Sequence, residues 1–295
     1  MAAEIIDGKK IAETIREELK GEIEKLKQEQ GITPGLAVVL VGDNPASQVY
    51  VRSKNKACHK IGIYSEQHNF PADITEAELL DLVQTLNSDP KIDGILVQLP
   101  LPEHINESRV LNAILPTKDV DGFHPVNVGK LFIGEQGFKP CTPYGVQKML
   151  TYSGIKTEGA HVVVLGRSNI VGKPVAGILI QKEKEANATV TICHSRTHDL
   201  PAVTRQADIL IAAIGIPEFV KENMVKPGAV VIDVGINRVD DPDSEKGYRI
   251  TGDVDFESVS AKCRAISPVP GGVGPMTITM LLYNTVQSAR QRAGI

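Results

Sequence analysis

Tyr50 and Lys54 stand four residues apart in a segment that reads as a helix. At 3.6 residues per turn they share one face, a phenol one turn from an amine. A tyrosine packed on a lysine stem at the surface has the same spacing, and most such pairs are no more than that. A third polar group, Gln98, follows the apolar run Gly94-Ile95-Leu96-Val97. That run reads as a buried strand, and in an open parallel sheet ligands sit outside the carboxyl ends of the strands. Gln98 is therefore placed for a ligand, or for a bond to a neighbouring loop. Lys118-Asp119-Val120-Asp121-Gly122-Phe123-His124-Pro125 is a polar loop too long for a simple connector.

A second constellation surrounds Val162-Val163-Val164-Leu165-Gly166-Arg167-Ser168-Asn169-Ile170-Val171-Gly172-Lys173-Pro174. Four apolar residues, three of them β-branched, predict a fully buried parallel strand. A glycine stops it, and a small-residue turn leads into an apolar helix from Val171 to Ile180. Such a turn aims backbone N–H groups and the positive end of a helix dipole at one point, which suits a pyrophosphate. Ser168 holds the place of the second glycine of the G-x-G-x-x-G fingerprint, so an ordinary strand-to-helix turn fits the loop equally well. The next strand, Thr189 to Cys193, ends at His194-Ser195-Arg196. An NAD site places an acid there for the ribose 2′-hydroxyl. Here a hydroxyl and guanidinium groups, with Arg167 in the first loop, suit a 2′-phosphate instead. Gly215-Ile216 and Gly235-Ile236 each follow a further strand, where small residues let a flat cofactor lie over the sheet edge. In Pro268 to Thr277, prolines fix the backbone and glycines permit close approach of a ligand, so that stretch reads as a binding loop.

The elements that must hold these residues follow from periodicity. Lys9 to Gln30 is an amphipathic helix with Ile11, Ile15, Leu19, Ile23 and Leu26 on one face. Leu36 to Val41 is a buried strand, and Asn44 and Pro45 start the helix of Tyr50 and Lys54. Ile63 to Asn69 is a strand, and Thr75 with Glu78 forms a capping box before a helix. Asn106 to Ile114 and Tyr144 to Ser153 are helices, completing a β-α-β-α-β layered domain. In the second half, Asp208 to Ile214 and Val230 to Val234 are strands, Asp240 to Tyr248 is a polar surface loop, and Phe256 to Cys263 is helical. Thr277 to Gln291 is a last helix that packs back across the first domain. The predicted domains are 1–145, completed by 277–295, and 146–276.

Composition narrows the function classes. The 295 residues are 42% hydrophobic and 23% charged, with a net charge of −4. That is a globular balance with no basic patch, which argues against nucleic acid. No apolar run approaches membrane-spanning length, so no membrane partner is expected. The first residues lack the apolar core of a signal peptide, so the expected compartment is the cytoplasm. Cys58, Cys141, Cys193 and Cys263 are scattered without metal or redox spacing, predicting free thiols and no metal site.

Five motifs, in order, resemble one family: Tyr50-Val-Arg-Ser-Lys54, Asp93-Gly-Ile-Leu-Val-Gln-Leu-Pro-Leu101, Lys118-Asp-Val-Asp-Gly122, Gly166-Arg-Ser-Asn-Ile-Val-Gly-Lys-Pro174 and Pro270-Gly-Gly-Val-Gly-Pro-Met-Thr277. The chain resembles, nearly end to end, the bifunctional methylenetetrahydrofolate dehydrogenase/methenyltetrahydrofolate cyclohydrolase family. The resemblance implies two three-layer α/β domains, the second a Rossmann-type parallel sheet, with a folate cleft between them, a homodimer, and NADP as cofactor. It implies that Tyr50 stacks on the folate, that Lys54 is the central catalytic group assisted by Gln98, and that Asp121 holds the pterin. Val51, Arg52, Ser53, Leu99, Pro100, Pro268, Pro270, Gly271, Gly272, Val273, Gly274 and Pro275 would complete the substrate site. Gly166, Arg167, Ser168, Ile170, His194, Ser195, Arg196, Gly215 and Ile236 would hold the cofactor.

That chemistry explains the residue types. A hydride leaves the methylene carbon for the nicotinamide, and a cationic methenyl group forms; water then adds to the cation and the ring opens to formyltetrahydrofolate. A permanent charge beside that cation would be unfavourable, so Lys54 is expected to be neutral for part of the cycle, its pKa lowered by burial. The neutral amine, with Gln98 and Tyr50, would then activate water or move its proton. A dehydrogenase without the hydrolase step has less use for Lys54 with Gln98. A non-catalytic NADP-sensing module would keep the Gly166 loop but has no need of Tyr50, Lys54 and Asp121. Dehydrogenases of small hydroxy acids would want a histidine or Lys/Asp pair near the nicotinamide, and none is evident.

Overall fold

Every residue of Gly35–Val41 is buried, on both faces of its strand. An all-apolar strand of this kind belongs inside a parallel sheet with helices on either side. The computed structural model describes residues 3–244 and 247–295. Its elements in chain order are β1 (Glu4–Ile5), α1 (Gly8–Gln30), β2 (Gly35–Val41), α2 (Pro45–Ile61), β3 (Tyr64–Phe70), α3 (Glu76–Ser88), β4 (Gly94–Val97), α4 (Glu107–Ala113), α5 (Pro125–Ile133), α6 (Cys141–Tyr152), β5 (His161–Leu165), α7 (Gly172–Leu179), β6 (Thr189–Cys193), α8 (Leu200–Thr204), β7 (Ile209–Ala212), β8 (Val230–Asp233), β9 (Asn237–Asp240), β10 (Tyr248–Thr251), α9 (Phe256–Ser260), β11 (Ala265–Ile266) and α10 (Val273–Ala293).

The chain divides into two units. The first comprises residues 14–141 and 278–295. Its sheet has the order β3-β2-β4, parallel throughout. Ala37, Val39 and Val41 of β2 and Ile95 and Val97 of β4 form one core with Leu79, Val83 and Leu86 of α3 and Val110 of α4. The capping box is present, with Glu78 N donating to Thr75 Oγ1 and Thr75 N to Glu78 Oε2. The last helix is pinned to this unit as the sequence predicts. Asn284 Nδ2 donates to Val120 O at 2.8 Å, Ser288 Oγ to Asp93 O at 2.6 Å, and Arg292 Nε to Asp93 Oδ1 at 2.7 Å.

The second unit comprises residues 3–13 and 142–277. Its six strands run β1-β11-β8-β7-β5-β6, parallel at every pairing. Val163, Leu165, Leu210, Ala212, Val231 and Ile266 make the core of this sheet with Val259 and Cys263 from the α9 region. The N-terminal segment departs from the expected 1–145 partition. Glu4 and Ile5 pair in parallel with Ala265 and Ile266. A two-residue strand is too short for periodicity to reveal.

Three further differences have local causes. The polar loop expected over 118–125 ends at helix α5, whose residues 126–133 carried no expectation, started by Pro125 in its first turn with His124 Nδ1 accepting from Val126 N. Asp240 and Tyr248, the ends of the expected 240–248 loop, pair as the last residue of β9 and the first of the antiparallel β10, and residues 245–246 of that loop lie outside the described residues. The last helix begins at Val273 rather than Thr277, because Pro275 falls in its first turn, where a missing N–H costs nothing.

Candidate active site

Helix α2 starts where the sequence predicts, with Ser47 N donating to Asn44 Oδ1 at 3.1 Å. Val51, Cys58 and Ile61 bury its inner face. Lys54, on the same helix, is only 7% exposed. Its Nζ donates to Gln98 Oε1 at 2.9 Å, and Gln98 Nε2 donates to Leu99 O at 2.8 Å. The second bond fixes the amide so that its carbonyl must face the amine. Gln98 N donates to Val39 O, which carries the β2–β4 pairing one residue past β4. The amine also lies 5.7 Å from the centre of the Tyr50 ring, which is 38% exposed.

The electrostatics suit a proton-transfer group. Burial pulls the Lys54 amine below the usual lysine range, opposed by the negative potential of Asp121. Burial likewise raises the half-buried Asp121 carboxyl, and Lys54 opposes that shift. The hydrogen-bond partner of Lys54 is a neutral amide, which does little to hold its proton.

Asp121 owes its position to a residue that sequence reasoning did not single out. Asp119 accepts from Gly122 N, Phe123 N and His124 N and from Asn127 Nδ2, so one carboxylate shapes the turn. Burial pushes its carboxyl up to about 6. The signal in the sequence was an Asp at the head of a turn with glycine three residues on.

The other predicted substrate residues of this unit do not all face one place. Val51 is fully buried and seats the helix. Ser53 is exposed and donates back to Val49 O of its own helix. Arg52 is exposed and lines a separate cavity of about 500 Å³ with Asp43, Gln48, Gln67 and Asn69. Leu99 and Pro100 follow Gln98 in a cis peptide bond, with Pro100 exposed.

In the second unit, Gly166 ends β5 at φ +130°, and a Cβ there would lie 2.1 Å from Ala213 O. A Cβ on Gly172 would lie 2.2 Å from Gly166 O. Glycine at both positions lets the loop fold back on its own strand. Ser168 Oγ accepts from Val171 N at 3.1 Å and Gly172 N at 3.3 Å, so the serine in the fingerprint's second glycine position caps the helix start. The N–H groups of Arg167, Ser168, Asn169 and Ile170, all exposed residues, have no partner among the described residues. Four successive free donors beside a helix N-terminus fit a pyrophosphate.

At the end of β6, His194 N donates to Thr197 Oγ1 and His194 Nδ1 accepts from Arg196 N. His194 therefore shapes the turn, while Ser195 and Arg196 are exposed beyond it. Asp253 accepts from Gly215 N, and Ile236 is 54% exposed. Residues 268–275, the loop and the first turn of α10, surround a cavity of about 170 Å³ with Gly235 and Ile236. Gly8 abuts that loop, where a Cβ would lie 1.9 Å from Gly272 O. Among the described residues no cluster of His, Cys, Asp and Glu could hold a metal ion. All four cysteines are buried free thiols. No helix among the described residues is long and apolar enough to cross a membrane.

A parallel sheet with a glycine-bounded phosphate loop, in a chain that also carries a buried lysine amine on a second α/β unit, defines a two-domain dinucleotide-dependent enzyme. Residues 6–121 match the catalytic domain of the tetrahydrofolate dehydrogenase/cyclohydrolase family, and residues 140–293 match its NAD(P)-binding domain. The chain belongs to that family. It is 60% identical over 296 residues to the bifunctional protein FolD of Dehalococcoides mccartyi, covering 100% of this chain and 99% of that one. It is 61% identical over 291 residues to the protein of the same name from Moorella thermoacetica, covering 99% and 100%. The crystal structure of the Campylobacter jejuni bifunctional enzyme superposes with a TM-score of 0.92 at 53% identity, covering 99% of this chain and 100% of that one. The Trypanosoma brucei enzyme, complexed with NADP cofactor and inhibitor, superposes with a TM-score of 0.93 at 41% identity, covering 100% of both chains.

Proposed function

We propose that the chain oxidises methylenetetrahydrofolate to methenyltetrahydrofolate with NADP, then hydrolyses the product to formyltetrahydrofolate, with Lys54 as the proton-transfer group of the hydrolysis. The observation that carries this reading is the amine of Lys54, buried, lowered in pKa and held by the carbonyl of Gln98. NADP, when bound, accepts the hydride from the methylene carbon. The chain's own residues do the rest. Asp121 anchors the pterin ring, the Tyr50 ring stacks on the folate, and the reacting carbon is brought beside Lys54. Held in place, two reactants behave as one molecule, which supplies much of the rate. A neutral Lys54 tolerates the methenyl cation, takes one proton from the water that attacks it, and returns that proton to the ring nitrogen that leaves, while the second proton of the water passes to solvent as the formyl C=O forms. The Gln98 carbonyl keeps the amine aimed through both transfers.

Absorbance during turnover of methylenetetrahydrofolate tests the whole reading. The NADPH band should rise in step with substrate loss, while the methenyl band rises and then decays. NADPH with a methenyl band that never decays enzymatically would reduce the protein to a dehydrogenase. Binding of both ligands without NADPH formation would make it a sensing module.

For the cofactor, the proposed contacts are the free N–H groups of residues 167–170 to the pyrophosphate and Ser195 with Arg167 or Arg196 to the 2′-phosphate. None of these three side chains has a partner among the described residues. A hydrogen bond to a charged group contributes about 1.5–3 kcal/mol. Arg167→Ala should therefore weaken NADP by roughly tenfold or more, by titration of each nucleotide, and leave NAD nearly unchanged. Equal losses for the two would refute the phosphate contact.

A further inference from the structure

The second unit contains a pair of buried carboxylates for which the reaction provides no role. Asp233, the last residue of β8, is 4% exposed, and Asp253, just after β10, is 0% exposed. Among the described residues both have only uncharged hydrogen-bond partners. Asp253 Oδ2 accepts from Ile214 N at 2.6 Å and Gly215 N at 3.0 Å, and its Oδ1 accepts from Ile216 N at 3.0 Å and Asn237 Nδ2 at 2.9 Å. Three consecutive backbone donors thus converge on one side chain. Asp253 is itself held by Asp233, whose Oδ1 accepts from Asp253 N and Gly235 N at 2.9 Å and whose Oδ2 accepts from Val254 N at 3.0 Å. Asp233 N in turn donates to Ser267 Oγ at 2.8 Å, one residue before the loop that starts at Pro268.

The packing is built around these groups. A Cβ on Gly252 would lie 1.8 Å from Asp233 Oδ2, and one on Gly235 would lie 2.3 Å from Asp253 Oδ1. Two glycines leave room for two carboxylates, each pinned on both oxygens. Burying such charges without a cation is costly unless donors saturate them, so a relay of this kind fixes its donors tightly.

What it fixes are the turns at the carboxyl ends of β7 and β8. On the reading above, the pyrophosphate lies at the loop after β5 and the adenosine at the end of β6. The strand order is β8-β7-β5-β6. A dinucleotide laid across those strand ends places its nicotinamide half over β7 and β8. We infer that Asp253 and Asp233 are positioning residues that set residues 214–216 and 235–237 as the seat of the nicotinamide, acting through backbone donors without touching the cofactor. The inference rests on the proposed dehydrogenase activity.

Asp253→Asn is the test, because it keeps the shape but replaces one acceptor oxygen with a donor facing backbone N–H groups. Hydride transfer to NADP should lose at least tenfold in kcat. Hydrolysis of supplied methenyltetrahydrofolate, which needs no hydride acceptor, should stay within twofold of wild type and serves as the check on folding. Binding of 2′-phospho-ADP-ribose should be unchanged, while the added affinity of intact NADP over that fragment is lost. Wild-type kcat for hydride transfer, or equal weakening of the fragment and of NADP, would overturn the inference. If Asp253→Asn does not fold, Asn237→Ala decides. It removes one of the four donors from a half-buried position and should lower hydride-transfer kcat about threefold with fragment binding unchanged; no loss overturns the inference. Wild-type protein lacking hydride transfer altogether would instead refute the functional reading itself.

Discussion

Lys54→Met is expected to lower hydrolysis of methenyltetrahydrofolate by about a hundred- to ten-thousand-fold, the usual contribution of a positioned proton-transfer group. Methionine fills similar volume, so the helix keeps its packing, but Gln98 Oε1 loses its donor at a half-buried position. Leaving such an acceptor unpaired costs about 1–3 kcal/mol, which a melting curve will show as a modest drop separate from the rate loss. Lys54→Arg discriminates charge from proton transfer. Arginine keeps the cation and cannot give up its proton in a protein, so it should be as inactive in hydrolysis as methionine. The pH profile carries the same information. Burial lowers the pKa of Lys54, so the neutral amine appears at lower pH than for a free lysine. The hydrolysis rate should rise with pH through that lowered value and then level off, and the rise should vanish in both variants. Decay of the methenyl band is the measurement. Wild-type hydrolysis by Lys54→Met would remove Lys54 from the mechanism.

The sequence offers the candidate side chains of the site, and less of what holds them. Tyr50, Lys54 and Gln98 were legible because helix period and strand-end position are local properties, and the structure joins the last two by one hydrogen bond. The Gly166 loop was legible because an apolar β-branched run followed by glycine has few other readings. Asp119, Asp233 and Asp253 were not. Each acts on backbone N–H groups, and for Asp253 the donors lie 16 to 39 residues away. No periodicity encodes such a partnership. The same limit hid β1, whose two residues pair with a segment near the far end of the chain. Serine in the second glycine position of the fingerprint was a visible departure, yet its consequence was not. Ser168 caps Val171 and Gly172 by itself, which leaves the N–H groups of residues 167–170 as the free ones. The final helix starts at Val273, before the Thr277 its periodicity suggests, because a proline such as Pro275 is as much at home in a first turn as in a loop.

Gly166→Ala should produce the opposite lesion to Lys54→Met. At φ +130° a non-glycine residue is strained by about 1–3 kcal/mol whatever surrounds it. The added Cβ would also meet Ala213 O at 2.1 Å, a backbone atom within the sheet that cannot step aside as a side chain would. Either β5 shifts against β7 or the turn opens, and both displace the four free N–H groups from their common focus. Losing several charge-assisted bonds to a pyrophosphate at once should cut NADP affinity by a hundredfold or more. The same strain should lower the melting temperature by roughly 2–12 °C, taking about 2–4 °C per kcal/mol for a domain of this size. Hydrolysis of supplied methenyltetrahydrofolate, assigned in the proposed mechanism to Lys54 and Gln98 of the other unit, should persist. The comparison is sharper than either variant alone. If Gly166→Ala abolishes hydride transfer and spares hydrolysis while Lys54→Met abolishes hydrolysis in a protein that still binds NADP, the two constellations are separable devices in one chain. If Gly166→Ala binds NADP as wild type does, the free N–H groups are not the phosphate site, and Arg196 with Ser195 would have to anchor the nucleotide from the end of β6.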